Sequence, residues 1–247
     1  QVLDFLKETE NSILCLQELK MQEADIDAAA FKEVGYTLDA FGQKTYNGVA
    51  TILRDPLTFL PDEEVRNIPG FEDPQSRLLA TTVQVGSEKL RVINGYFPNG
   101  ETVESEKFPY KLAWLEALVQ WLPSQLEEYP NLVLLGDFNI APEDRDVWDP
   151  ESWAESVLCT PKAREAFQRL IDLGLTDSFR AFEQPEKSYS WWDYRMMAFR
   201  RNRGLRIDHI LISEALASKN LGVEIHKKVR GNERPSDHAP VTLTLDL

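Results

Sequence analysis

Apolar positions come in short runs whose spacing changes along the chain. "SILCLQE" (12–18) is continuously apolar and predicts a strand buried on both faces and ending at Glu18. "NGVATIL" and "RLLATTVQV" read as two more strands. "KLRVINGYFPNG" reads as a third, closed by a Pro-Asn-Gly turn. The spacing then switches to three and four: Leu112, Leu115, Val119, Leu122 and Leu126 predict a helix through about Leu126, with Pro123 kinking or dividing it.

"NLVLLGDFNIAP" returns to a buried strand, broken by Gly136 and ended by Pro142. "PKAREAFQRLIDLGL" predicts an amphipathic helix with Pro161 at its start and Gly174 at its stop. "RIDHILIS" and the alternating "PVTLTLDL" predict the last strands. Strands outnumber helices and come partly in consecutive runs, which predicts stacked β-sheets flanked by helices. No repeat or Gly/Ser-rich linker interrupts the 247 residues, so a single domain, 1–247, is expected.

Polar residues stand at the ends of these apolar runs. Glu18 ends the first; Asp137 and Asn139, two apart, end the fifth and would share a face of a strand. Asp208 lies near the start of "RIDHILIS", and Asp237 and His238 immediately precede the final strand. A carboxylate beside a buried strand is costly unless paired or metal-bound. Any one of these acids alone would be a turn former or a cap. Four acids, an Asn and a His at strand ends are explained more simply by convergence on one rim, which would offer oxygen ligands to a hard cation, Mg²⁺ before others. The Cys and His ligands of a zinc site are missing. Ser236 precedes His238 by two, but no Gly-x-Ser-x-Gly elbow surrounds it, and no phosphate-binding Gly-x-x-x-x-Gly-Lys loop occurs. His209 alternates away from Asp208 and reads as packed or surface; His226 has no such company.

The net charge of −14 argues against nucleic acid when taken alone and suits a carboxylate-rich cation site. The average hides "YRMMAFRRNRGLRI" (194–207), with five arginines and no acid, which by itself could be a solvated loop. Two cysteines are too few for a disulfide framework and fit a reducing compartment; a cytoplasmic location is expected. No apolar run approaches the ~20 residues needed to span a bilayer.

"LQE" (16–18), "YNGVA" (46–50), "INGYFPNG" (93–100), "LLGDFNIAP" (134–142), "SWWDYR" (190–195), "GLRIDHIL" (204–211) and "RPSDHAP" (234–240) occur in that order. Together these blocks resemble the exonuclease III family of apurinic/apyrimidinic (AP) endonucleases, bacterial type, over nearly the whole chain. The wider superfamily includes sphingomyelinases and inositol phosphatases. "SWWDYR" and the arginines after it resemble the DNA-engaging loop of the repair enzymes.

The resemblance implies an α/β four-layer sandwich of two mixed sheets flanked by helices. It also implies a Mg²⁺-dependent phosphodiesterase, with Mn²⁺ as a substitute, that cuts 5′ to abasic sites in duplex DNA or acts as a 3′-5′ exonuclease or 3′-phosphatase. A lipid or inositol phosphoesterase and a non-catalytic DNA-binding relative are the alternatives. The expected partner is duplex DNA with abasic sites or 3′ ends, without membrane, and the protein is expected to be a monomer.

By resemblance Glu18 is the main metal carboxylate, with Asp237 and Asp137 adding to the metal site. Asp137 also activates water or protonates the leaving group, and Asn139 orients it and contacts phosphate. Asp208 holds His238 against the scissile phosphate, and Tyr96 reaches the phosphate or leaving oxygen. Trp191 presses on the abasic sugar. Arg195, Arg200, Arg201, Arg203, Asn99 and Arg77 complete the DNA contacts. Alternation places one of Trp191 and Trp192 inward and the other outward. The family's opening strand, ending in Asn-Val-Asn, has no counterpart before "QVLDFLKETE", which looks like the helix that follows it. An additional N-terminal segment of roughly 15 residues is therefore expected, one strand plus its loop.

Overall fold

The computed structural model describes residues 1–247, which form two compact units. The first comprises residues 1–96 and 131–136; the second comprises residues 97–130 and 137–247. Strands and helices alternate irregularly in both, giving a mixed α/β fold with several sheets flanked by helices.

In the first unit, α1 (Val2–Thr9), β1 (Ile13–Gln17), α2 (Ala28–Glu33), β2 (Tyr36–Phe41) and β3 (Val49–Arg54) make a helix-covered, three-stranded antiparallel sheet ordered β1-β3-β2. Leu6 of α1 and Phe31 of α2 pack against Tyr36 and Ile52, which removes the apolar face of the sheet from water. β1 was expected to be buried on both faces. It is an edge strand paired only with β3, and all five of its residues are half-buried. β4 (Thr58–Phe59), β5 (Val65–Arg66), β6 (Leu78–Val85), β7 (Glu88–Tyr96) and β8 (Leu132–Asp137) belong to a second sheet. β6 and β7 form a hairpin whose tight turn uses Gly86 at φ 58°. Asn94, fully buried, ties this sheet to the first: its amide donates to the Leu16 and Ala50 carbonyls, and its oxygen accepts from Gln17.

Gly136 does not break β8 as the sequence suggested. The strand continues through it to Asp137, and glycine is required because a Cβ there would lie 1.9 Å from the Gly95 carbonyl oxygen.

The second unit carries α3 (Lys107–Glu128), α4 (Pro150–Trp153), β9 (Leu175–Asp177) preceded by α5 (Pro161–Asp172), β10 (Asp208–Ser213), α6 (Glu214–Ala217), β11 (Asn220–Ile225) and β12 (Val241–Leu245). β9 pairs with β10, and β11 with β12, both antiparallel. Pro123 was expected to kink or divide the long helix; α3 runs unbroken past it from Lys107 to Glu128. The helix is held by burial of Leu115, Leu118 and Leu122 before the proline and Gln125 after it, and that packing offsets one lost backbone hydrogen bond. The buried stripe is also rotated from the expected one. Leu112 and Leu126 flank it half-buried, and Lys111 lies inside it. α5 matches expectation: Thr160 caps Ala163, Pro161 opens the helix and Gly174 follows it at φ 100°.

Candidate active site

The second unit gathers Asp137, Asn139, Asp208 and His238 by backbone geometry. The Phe138 N–H donates to the Ile207 carbonyl, which sets the end of β8 beside the start of β10. Asn139 then turns into the left-handed region at φ 50°. Its backbone N–H donates to Asp137 Oδ1 at 2.9 Å and its Nδ2 to Asp137 Oδ2 at 3.1 Å. A turn, and not strand alternation, therefore brings the two residues together. Asn99 joins them by donating to Asn139 Oδ1 at 2.9 Å.

Asp208 and His238 are 30 residues apart and meet through Ser190. The buried Ser190 hydroxyl accepts from the Ile207 and Asp208 N–H groups, and its carbonyl accepts from Ala239. His238 Nδ1 lies 3.0 and 2.9 Å from the two Asp208 oxygens. Its Nε2 lies 3.8 Å from Asp137 Oδ2, so the imidazole is flanked by two carboxylates. Burial works against a charged ring, but Asp208, Asp137 and Asp237 outweigh it and raise the His238 pKa to about 10.

Trp192 is fully buried while Trp191 is half-buried, which is the inward-outward pair the alternation required. Trp191 stands edge-on to Trp153, 6.0 Å between centroids, and its Nε1 donates to Asp237 Oδ2 at 2.9 Å.

The arginines of 194–207 divide. Arg200 and Arg201 are exposed, and Arg195 is exposed but paired with Asp193. The Arg203 guanidinium lies 4.7 Å from the Trp148 centroid. Arg206 is buried, bonded to Asp146 and Asp177, and belongs to the scaffold. Beside it, His209 is packed as the sequence suggested. Arg206 has no lone pair, so the Nδ1 facing it at 3.0 Å must be the acceptor; Nε2 then donates to the Ile140 carbonyl. Burial, helped by Arg206, pushes the His209 pKa down to about 4.

In the first unit Glu18 and Lys20 adopt left-handed φ values of 56° and 55° just past β1. The Tyr96 hydroxyl donates to Glu18 Oε1, and Lys20 Nζ lies 2.7 Å from Oε2. Arg77 is buried. It donates to Gln75 Oε1 and the Tyr96 carbonyl, and its guanidinium lies 5.0 Å from the Tyr96 ring centroid.

The donor chemistry suits a hard cation. Carboxylate oxygens of Asp137 and Asp208 and a ring nitrogen of His238 fall within 4.8 Å of one another. Of these donors the carboxylate oxygens match a hard cation best. Ser190 and Lys111 are the residues that sequence reading passed over. Lys111 left one signal, a charge inside the apolar stripe of a helix.

A profile of the endonuclease/exonuclease/phosphatase family matches residues 1–238. The chain belongs to this family. It is 35% identical to exodeoxyribonuclease III of Haemophilus influenzae over 250 residues, covering 98% of this chain and 92% of that protein. Its fold superposes on a Neisseria 3′ phosphatase, NExo, solved with a product DNA hairpin, with a TM-score of 0.94 and 44% identity over 100% of this chain and 93% of that one. An AP endonuclease from Archaeoglobus fulgidus gives 0.91 at 32% identity, with 100% and 93% coverage. As a member of the endonuclease/exonuclease/phosphatase family with such relatives, the chain is a metal-dependent hydrolytic nuclease of the DNA repair type. The lipid and inositol phosphate alternative is thereby set aside. No helix is long and apolar enough to cross a membrane.

Proposed function

We propose that the chain hydrolyses the phosphodiester 5′ to abasic sites in duplex DNA with Mg²⁺, Mn²⁺ serving as a substitute. The observation that carries this reading is the line Asp208–His238–Asp137, with contacts of 2.9 and 3.8 Å. Phosphodiester hydrolysis needs a proton acceptor for water and fixed positive charge where the phosphate oxygens gain charge. Asp137, gripped at both oxygens by Asn139, is the acceptor that takes the water's proton. His238, held cationic by Asp208, opposes the developing charge.

Asp137 and Asp237 would hold the cation, and Glu18 keeps the role of metal carboxylate that the family resemblance implies. The bound ion would supply Lewis acidity toward the phosphate. Tyr96, aimed by the Arg77 stack and its bond to Glu18, contacts the phosphate or leaving oxygen. Trp191 is the wall for the abasic sugar. Extrusion of that nucleotide is cheap because its stacking is already lost. Arg195, Arg200, Arg201 and Arg203 follow the phosphate backbone. Asn99 acts through Asn139, and Arg77 through Tyr96.

A second reading is favoured by the 44% identity to NExo, which is named both a 3′ phosphatase and a 3′-5′ exonuclease. In it the same residues hydrolyse phosphate esters at 3′ ends. One assay separates the two: an abasic duplex and a 3′-phosphate duplex, each with Mg²⁺ and with EDTA. Incision of the first establishes the abasic reading, and activity confined to the second transfers the chemistry to 3′ ends. Activity that survives EDTA refutes the metal requirement.

A further inference from the structure

We propose that Lys111 is a positioning residue for Asp137, acting through the left-handed turn at Asn139. Lys111 sits in the buried stripe of α3 with no solvent exposure. Its ammonium donates to three backbone carbonyls: Asn139 at 2.7 Å, Val157 at 2.9 Å and Asn99 at 3.1 Å. An ammonium has three donors, so its capacity is used up on neutral acceptors. Burying such a group is costly, and burial draws its pKa down to about 7 against the field of Asp137. A methionine would fill similar volume without that cost. What a packing residue could not do is satisfy the three carbonyls that converge on Nζ, which match the three donors of the protonated amine.

What the ammonium does is visible in the bonds around Asn139. The left-handed conformation at φ 50° points the Asn139 carbonyl at Lys111, while the backbone and side-chain amides of the same residue hold the two oxygens of Asp137. Asn99 closes the ring. Its side chain donates to Asn139 Oδ1, and its own carbonyl is a second acceptor of Lys111. Gly100 keeps the ring tight, because a Cβ there would meet the Lys111 stem at 3.2 Å. Asn139 is also held by its own amides, to Asp137 and the Phe97 carbonyl, and by Asn99, but Lys111 is the charged donor on its carbonyl, and losing it frees that side of the turn. Asp137 would then keep its charge and lose its aim. A displacement of that kind costs rate and not ground-state affinity.

The proposal rests on the reading of Asp137 as part of the hydrolytic centre. It is tested with Lys111→Met, or with Lys111→Gln if the methionine variant does not fold, folding being judged by circular dichroism. Incision of an abasic duplex should show kcat lowered about a hundredfold with KM changed less than about twofold. Adding Asn139→Ala to Lys111→Met should cost less than about threefold more, although Asn139→Ala alone costs about a hundredfold. A folded variant with wild-type kcat overturns the proposal, as do losses that multiply. A readout independent of substrate is the side-chain amide resonances of Asn99 and Asn139, which should both move in Lys111→Met; if they stay, the clamp is refuted. A wild-type protein inactive on DNA would count against the nuclease reading, and the amide resonances would still decide whether Lys111 sets the turn.

Discussion

Two regions of this molecule carry the same kinds of side chain under different solvation. Around Glu18 the carboxylate is 40% exposed and its lysine partner 57% exposed, on a bend of two left-handed residues. Around Asp137 the carboxylate is 7% exposed, both its oxygens accept from Asn139, and a cationic histidine stands beside it. Charges in the first region are screened by water and salt, so each contact is individually weak and exchangeable. Charges in the second cannot be re-solvated when a partner is lost, so each contact is individually decisive. The first region can trade partners at little cost; the second is built to stay fixed.

The largest expected effect tests the fixed region. Asp208→Asn preserves shape and removes the charge that keeps His238 cationic. Turnover under single-turnover conditions should fall about a thousandfold while DNA affinity changes little. His238→Asn should do the same, and the double variant should add little to either single change. Losses that add would mean the two residues act independently.

Next comes the exchangeable region. Glu18→Gln should raise the Mg²⁺ concentration for half-maximal rate about tenfold and leave much of the rate recoverable at high Mg²⁺. A titration showing the wild-type half-saturation point would remove Glu18 from the ligand set and end the contrast.

A smaller effect concerns DNA affinity. Changing Arg200, Arg201 and Arg203 together to glutamine should flatten the dependence of log K on log salt, measured by fluorescence anisotropy. Each lost phosphate contact should reduce the slope by about one. Arg203 is already stacked on Trp148, so the triple variant should lose about two contacts and not three. An unaltered slope would make the stretch an ordinary surface loop.

The smallest is a pH effect on stability. His209 is buried and neutral, with a folded pKa of about 4 below the 6.5 of an exposed ring. The unfolded chain therefore binds more protons between these values, and stability falls as pH is lowered from 6.5 toward 4. His238 has the opposite sign: its contribution is present below pH 6.5 and is lost as pH rises through about 10. Urea midpoints at pH 7.5 and 5, in wild type and His209→Gln, isolate the first term. The variant should lose less on acidification, by on the order of 1 kcal/mol. Equal losses would show that His209 is solvated.

Much of the site could be read from the order of residues because apolar strands ending in carboxylates are rare without a use. That logic singled out Asp137, Asp208 and His238, whose ligand atoms the structure brings within 4.8 Å of one another. It also foresaw that one of two adjacent tryptophans is buried and the other half-exposed. It misplaced the expected break at Gly136, because a glycine needed for close approach to Gly95 carries the same letter as one needed for a turn. It grouped Arg206 with the loop arginines, because the acids that bury it, Asp146 and Asp177, are 60 and 29 residues away.

The sequence determined which groups can carry charge, that apolar strands alternate with helices, and that one of Trp191 and Trp192 lies inside. Only the tertiary structure decided that Ser190 joins Asp208 to the His238 segment and that Lys111 grips the turn at Asn139. The physical reason is that both act on backbone amides and carbonyls. Every residue but proline offers the same donor and acceptor, so their partners have no signature in the sequence and are chosen by the fold alone.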